Sequence, residues 1–156
     1  MREDHRTSVN DFFVHVFNKI LLYEEQYLNR FGCKDLSVRE MHVLEAVDML
    51  EVEHCNSMSH IAERLAISVS ALTTSVNALV RKEYLCRENS QVDRRIVYVK
   101  LTEKGQQALQ YHKQFHERMI DSLDQELSDE EWDTMVHSLD ALSTFFDAVG
   151  SKKTIH

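Results

Sequence analysis

Residues 57–101 read SMSHIAERLAISVSALTTSVNALVRKEYLCRENSQVDRRIVYVKL. Apolar side chains recur at intervals of three and four residues in the first half of this stretch, which predicts short helices over about 57–66 and 69–82. Ile67 and Ser68 form the tight connection between the two helices, and Ser68 is the expected N-cap of the second one. The stretch therefore begins with two helices that are joined by a short turn.

Two strand-like runs follow, at Tyr84–Arg87 and Ile96–Leu101, and a polar loop joins them. Helix, turn, helix and hairpin in this order form a winged helix-turn-helix, in which the second helix enters the major groove of DNA. That groove is about 12 Å wide and admits a helix that carries small polar side chains.

The polar side of helix 69–82 predicts the DNA contacts. Its hydroxyl and amide groups are expected to contact base edges or phosphates, and the two cations at its end are expected to neutralise phosphates. The loop 88–95 is the expected wing, whose arginines fit the narrow, electronegative minor groove while Asp93 holds one of them in position. The predicted DNA-binding residues are Ser68, Ser70, Thr73, Thr74, Asn77, Arg81, Lys82, Asp93, Arg94 and Arg95.

The distribution of charge favours the same interpretation. Residues 57–104 contain eight Lys/Arg against five Asp/Glu, net +3. Residues 1–56 contain six against eleven, net −5, and residues 105–156 contain four against ten, net −6. A basic segment between acidic ones predicts one surface that attracts a polyanion, with flanks that keep non-specific DNA binding weak.

Glycine and proline usage predicts the fold class. The 156 residues include three glycines and no proline, which is too few for the tight turns of sandwiches, propellers and doubly wound sheets. We therefore expect a mainly α fold with a small β-hairpin wing. A first long helix over 8–31 is expected to begin at a capping box of Ser8 and Asp11, and a second box follows at Ser37 and Glu40.

The terminal helices predict a dimer. The apolar faces of Val9–Phe31 and Trp132–Val149 contain many aromatic residues, and two copies paired through them would bury both faces in an isologous interface. The alternative is that these faces pack inside one subunit. We expect dimerisation helices in 1–35 and 103–156 around a winged helix-turn-helix in 36–102. The two recognition helices would then lie about 34 Å apart, one turn of B-DNA.

Several other classes of protein are disfavoured. The sequence has no glycine-rich phosphate loop, nucleophile elbow or HExxH motif, so we expect neither an enzyme nor a required cofactor. No apolar run approaches the ~20 residues that span a bilayer, and the first residues do not read as a signal peptide, which predicts a cytoplasmic protein with no membrane partner. The alternative from a different class is a non-catalytic protein–protein adaptor, whose affinity need not fall steeply with salt.

The central sequence contains the runs IAERL (61–65), SVSALT (68–73), LVRK (79–82), DRRIV (93–97) and LTEKG (101–105). With one helix before them and two after them, these runs resemble the MarR family of transcriptional regulators over almost the whole chain. That family usually has glycine after the recognition helix, where this chain has Glu83. A non-glycine residue in a left-handed C-cap costs on the order of 1 kcal/mol, which leaves the end of this helix and the angle of the wing open.

Two further runs, LSVREMH (36–42) and HKQFH (112–116), are similar to the FabT-like repressors of fatty-acid synthesis within that family. The resemblance implies an obligate homodimer that binds a palindromic operator and responds to a ligand. In the FabT-like branch the ligand is a long-chain acyl group on acyl carrier protein.

One candidate effector site is an apolar tunnel between the dimer helices and the DNA-binding part. Flexible methionines suit an acyl chain of variable length, although the same residues can simply fill the core. The predicted lining residues are Phe17, Ile20, Leu21, Met41, His42, Leu44, Phe115 and Met119.

The alternative effector is a zinc ion. His112 and His116 are four residues apart and share a helix face, and His42 with Glu24 or Glu25 could complete a tetrahedral site. The arrangement also resembles the zinc-sensing branch of the family, which draws ligands from its first, second and fifth helices. The competing interpretation is a neutral, hydrogen-bonded histidine at position 112, on the apolar side of its helix.

Overall fold

The computed structural model describes residues 2–91 and 96–151. Within these ranges the elements are α1 (Arg2–Arg30), α2 (Val38–Val52), α3 (Met58–Arg64), α4 (Val69–Arg81), β1 (Leu85–Asn89), β2 (Val97–Leu101), α5 (Glu103–Asp124) and α6 (Asp129–Ser151). This order confirms the mainly α fold with a hairpin wing. Asp93, Arg94 and Arg95, the expected tip of the wing, lie outside the described residues. Among the described helices, none is long and apolar enough to cross a membrane.

One of the two predicted capping boxes is confirmed. The Ser37 hydroxyl accepts from the N–H of Glu40 at 3.2 Å, and the Glu40 carboxylate accepts from the N–H of Ser37 at 2.9 Å, which completes a capping box for α2. The predicted cap at Ser8 is wrong, because α1 already includes Arg2 and the Ser8 hydroxyl donates to the carbonyl oxygen of Asp4 at 2.9 Å. A serine inside a helix can bond back to the preceding turn in this way instead of capping.

Three of the described helices end at a left-handed residue that is not glycine. The φ angle is +56° at His54, +52° at Ala66 and +66° at Glu83, the second residues after α2, α3 and α4. After α4, the N–H of Tyr84 donates to the carbonyl oxygen of Leu79 at 2.9 Å, which is the hydrogen bond of a Schellman cap. Glu83 therefore takes the position of the glycine, and α4 ends in the ordinary way.

We expect Glu83→Gly to raise the free energy of unfolding by about 1 kcal/mol, because glycine adopts the left-handed conformation without the steric cost of a Cβ. Urea denaturation followed by circular dichroism measures the change. Ala71→Gly on α4 is the control and should lower stability by about 0.5–1 kcal/mol, since glycine is unfavourable inside a helix. Equal destabilisation by the two substitutions would contradict the cap assignment at Glu83.

The hydrophobic core joins the helix-turn-helix to the helices beside it. Leu28 of α1 and Ala108 and Leu109 of α5 belong to the same buried cluster as the central residues. The packing divides the chain into two compact units, Met1–Phe115 and His116–His156. This division differs from the predicted one at 35/36 and 102/103, because parts of α1 and α5 contribute to the central core. The other core residues include Met41, Leu44, Val47, Ile61, Leu72, Val76, Leu79, Leu85 and Val99.

The hairpin presents one face to the helices. In its antiparallel register Leu85 is opposite Leu101 and Arg87 is opposite Val99. Opposite residues share a face, as do alternate residues of one strand, so Arg87 lies on the face of the buried Leu85 and Val99. Its own side chain is exposed, so it extends from the edge of the packed face.

The start of α5 packs closely on the chain that follows α4. The N–H of Thr102 donates to the carbonyl oxygen of Tyr84 at 3.1 Å, and the Thr102 hydroxyl accepts from the N–H of Gly105 at 3.1 Å. A Cβ added to Gly105 would collide with the carbonyl oxygen of Tyr84. This close approach therefore requires glycine at position 105.

Candidate nucleic-acid interface and metal cluster

The polar side of α4 faces outward. Ser70, Thr74, Asn77 and Arg81 are exposed and Thr73 is half-buried, while the opposite side of the helix supplies Leu72, Val76 and Leu79 to the core. A cationic residue, Arg81, thus lies at the end of a stripe of small polar side chains. The stripe has the chemistry of a major-groove reading surface.

The hydroxyl groups of this stripe present oxygen atoms rather than hydrogens. Thr73 Oγ1 donates to the carbonyl oxygen of Val69 at 2.7 Å, and Thr74 Oγ1 donates to that of Ser70 at 3.4 Å. With their hydrogens directed at the helix backbone, both hydroxyls are acceptors toward an approaching base. Ser68 has a different local role, since its hydroxyl accepts from the N–H of Ala71 at 3.1 Å and caps α4.

Lys82, a predicted phosphate contact, has partners within the protein. Its ammonium group donates to both carboxylate oxygens of Glu40, at 2.7 and 2.9 Å, and to the backbone carbonyl oxygen of Asp35. Burial would raise the pKa of the Glu40 carboxyl, but the hydrogen bonds from Lys82 and Ser37 outweigh it and hold the pKa below its usual value. The charge of Lys82 is thus balanced inside the protein, and its side chain ties the end of α4 to the start of α2.

A second set of contacts ties the same region to the loop after α1. The Tyr84 hydroxyl donates to Asp35 Oδ1 at 2.8 Å. Burial raises the pKa of Tyr84 well above its usual value, and the bond to Asp35 raises it further. Lys104 donates to the carbonyl oxygen of Lys82 at 2.8 Å and lies over the ring of Tyr84, 4.1 Å from its centroid. The recognition helix is therefore held at its C-terminal end by residues from outside the helix-turn-helix.

Arg87 is a candidate interface residue that the sequence patterns did not indicate. Its Nη2 atom donates to Asn77 Oδ1 at 2.7 Å, which connects β1 to the exposed side of α4. The alternation of residues along β1 does indicate which way Arg87 faces, since position 87 shares a face with Leu85 and that face packs on the helices. Its pairing with Asn77, however, depends on the tertiary arrangement.

The residues of the predicted effector tunnel differ widely in burial. Met41 and Leu44 are fully buried in the core, whereas Phe17 is 64% and Leu21 37% exposed. Ile20, His42 and Phe115 are half-buried, and Met119 belongs to the second compact unit. An open cavity of about 330 Å³ in the first unit shares only Phe115 with the predicted set; its other lining residues are Tyr23, Gln26, Tyr27 and Arg30.

Three of the predicted metal ligands lie together. The ligand atoms of Glu24, His42 and His112 are all within 4.8 Å of one another. Glu24 and His112 are each 2% exposed, and their Oε1 and Nε2 atoms are 3.3 Å apart, while His42 Nε2 is 4.0 Å from Glu24 Oε2. Of the two glutamates that the sequence left open, the structure selects Glu24. His116, also predicted, belongs to the second compact unit.

Comparison with known proteins connects this geometry to a family. Residues 31–111 match the family described as "Transcriptional regulator SarA/Rot". The chain is 30% identical over 96 residues to the uncharacterized HTH-type transcriptional regulator YpoP of Bacillus subtilis. The aligned region covers 62% of this chain and 66% of YpoP. It is 29% identical over 104 residues to the transcriptional regulator AdcR of Streptococcus pyogenes, and this alignment covers 66% of this chain and 71% of AdcR.

A solved structure extends the similarity to nearly the full length. FabT of Streptococcus pneumoniae, in complex with DNA, is 31% identical with a TM-score of 0.82, and the match covers 92% of this chain and 99% of the FabT chain. These relatives are transcriptional regulators and not enzymes. The chain belongs to the SarA/Rot family of MarR-like winged-helix regulators, which bind DNA to control transcription.

Proposed function

We propose that this protein is a homodimeric repressor that binds a palindromic operator in the cytoplasm and controls fatty-acid synthesis in response to an acyl chain on acyl carrier protein. The observation that carries the proposal is the 31% identity to FabT, in complex with DNA, over 99% of the FabT chain. The exposed polar stripe of α4 supports it, because a groove-reading helix needs small hydrogen-bonding groups on its outer side.

Exposed aromatic residues support the homodimer. In the first unit Phe12 and Phe17 of α1 are 57% and 64% exposed, and in the second unit Phe145 and Phe146 of α6 are 58% and 61% exposed. Large apolar patches of this kind on a subunit usually mark an interface. If a second copy of the chain covers these aromatic residues, the assembly is closed and symmetric and places two recognition helices on one operator.

Operator binding is tested by selecting bound sequences from a pool of random duplex DNA and by measuring the affinity of the selected duplex at several salt concentrations. A repressor of this kind should enrich a palindrome, and the logarithm of its binding constant should fall linearly with the logarithm of salt concentration. An adaptor for a protein partner should do neither.

We expect Arg95→Ala to weaken binding to the selected duplex by roughly 1–3 kcal/mol without dissociating the dimer, since a wing arginine would insert into the minor groove. Gel-shift titration gives the affinity, and sedimentation confirms the oligomeric state. Unchanged affinity would remove Arg95 from the interface.

A metal ion is a second candidate effector, and the cluster of Glu24, His42 and His112 favours it. One carboxylate and two imidazoles are a donor set that zinc binds at about 2.0–2.2 Å, which places neighbouring ligand atoms about 3.3–3.5 Å apart. The observed separations of 3.3 and 4.0 Å from Glu24 are close to these values. When bound, the ion would supply a cross-link between α1, α2 and α5, and these three side chains would hold it.

Native mass spectrometry of freshly purified protein tests both effectors at once. If zinc is the effector, we expect one ion per subunit in the wild type and in His60→Gln, a control histidine exposed on α3, and loss of the ion in Glu24→Gln and His112→Gln. If an acyl group is the effector, addition of acylated acyl carrier protein should produce a complex that the unacylated carrier does not form. Zinc retained by both cluster variants would exclude this site.

A further inference from the structure

A hydrogen bond on the exposed surface of the candidate nucleic-acid interface joins a side chain of the hairpin to one of α4. Arg87 Nη2, on the wing strand β1, donates to Asn77 Oδ1, on the recognition helix α4, at 2.7 Å. Both residues are exposed, so burial does not enforce the contact. Arg87 reaches Asn77 because it extends from the sheet face that packs on the helices through Leu85 and Val99.

The chemistry of the two groups fixes the orientation of the Asn77 amide. A guanidinium group has only hydrogen-bond donors, whereas an amide has an acceptor oxygen at one end and a donor NH₂ at the other. The end of Asn77 that faces Arg87 must therefore be its carbonyl oxygen. The NH₂ group is left at the other end of the amide, and the Asn77 side chain is exposed.

We infer that Arg87 is a positioning residue that holds the carbonyl oxygen of Asn77 toward β1, leaves its NH₂ group for DNA and thereby sets the base preferred at the position that Asn77 contacts. This inference rests on the DNA-binding role of α4. An asparagine that reads adenine uses its oxygen and its NH₂ together, on N6 and N7. The bond to Arg87 occupies one of the two lone pairs of that oxygen and turns it toward β1, which favours the NH₂ as the group presented to a base; an NH₂ donor matches the acceptors of guanine, N7 and O6.

The neighbouring side chains of the stripe have the opposite character. The hydroxyls of Thr73 and Thr74 donate to their own helix and present oxygen atoms outward. Asn77 would thus supply hydrogen-bond donors next to acceptors, and a change in the orientation of its amide would alter the recognition of one base without altering the rest of the surface.

The test is selection from random duplex DNA with the wild type, Arg87→Met, Arg87→Lys, Asn77→Ala and the double variant Arg87→Met/Asn77→Ala. We expect the wild type to enrich guanine at the position where Asn77→Ala loses its preference. Arg87→Met should shift the guanine-to-adenine ratio there by about tenfold toward adenine, since a good bidentate contact discriminates by roughly 5- to 150-fold. Arg87→Lys should keep guanine, because an ammonium group is likewise only a donor.

The double variant separates positioning from a direct contact. If Arg87 acts through Asn77, Arg87→Met should change no base preference in the Asn77→Ala background. If Arg87→Met instead weakens all sequences equally, lowers the salt slope and leaves the selected bases unchanged, Arg87 is a phosphate contact and the inference is wrong. Arg6→Met on α1 controls for the loss of one positive charge. A wild type that enriches no sequence would overturn operator binding itself, and the inference with it.

Discussion

Gly105→Ala is expected to lower the free energy of unfolding by about 3 kcal/mol, at the upper end of the usual cost of forcing an extra methyl group into a packed site. The new Cβ would collide with the carbonyl oxygen of Tyr84, and that oxygen accepts a hydrogen bond from the N–H of Thr102 at 3.1 Å. Neither backbone segment can move away without loss of this bond. Urea denaturation of both proteins at one fixed concentration measures the difference.

Gly32→Ala is the matched control. Gly32 has a φ angle of +86°, and a Cβ added there would have nothing within 4 Å. Its cost is therefore the strain of a left-handed alanine alone, about 1 kcal/mol. A similar loss of stability for the two variants would show that Gly105 is needed for its conformation rather than for space.

The second large effect is expected from Arg81→Glu, which should weaken binding to the selected duplex by roughly a hundredfold or more. Arg81 is exposed at the end of the polar stripe of α4, and a carboxylate there would both remove a phosphate contact and repel the DNA backbone, which costs several kcal/mol in a close interface. Fluorescence anisotropy with the labelled duplex measures the affinity. Because the side chain is exposed, the unfolding transition should be little changed.

Comparison of Arg81→Met with Lys82→Met tests the different environments of these two neighbours. Arg81→Met should reduce the log–log salt slope by about 0.9, the contribution of one phosphate contact. Lys82→Met should leave the slope unchanged, because its ammonium group is already bound to Glu40. Its effect should appear as a loss of stability instead. A reduced slope for Lys82→Met would show that this lysine exchanges Glu40 for phosphate on the DNA.

Local patterns were sufficient to predict much of the fold. The three- and four-residue spacing located α3 and α4, and the Ser37–Glu40 spacing predicted a capping box that the structure confirms. The start of α1 was not predictable in this way, since Ser8 satisfies the same pattern when it bonds back inside a helix. The sequence spacing is the same for a serine that caps a helix and for one that lies inside it, and only the backbone conformation of the preceding residues distinguishes the two.

The parts of the candidate site that escaped prediction are contacts between residues far apart in the sequence. Lys82 meets Glu40 across 42 positions, and of the two candidate glutamates it is Glu24 that meets His112, across 88. The chemical type of each residue was informative, since it indicated a cation at the end of α4 and a histidine able to bind a metal. Which partner each one meets depends on how α1, α2 and α5 pack around the same core.

The ion pairs of the basic segment, residues 57–104, have a consequence for chemical modification of the protein. Each of its three lysines meets a carboxylate: Lys82 meets Glu40, Lys100 meets Glu88, and Lys104 meets Asp35. The exposed cations that remain among the described residues of this segment are guanidinium groups, on Arg64, Arg81 and Arg87. Arginine keeps its proton throughout the range in which proteins stay folded, and it is not a target of acetylation. Acetylation of these lysines should therefore break their ion pairs and weaken the fold around α4, while Arg64, Arg81 and Arg87 keep their charges for DNA.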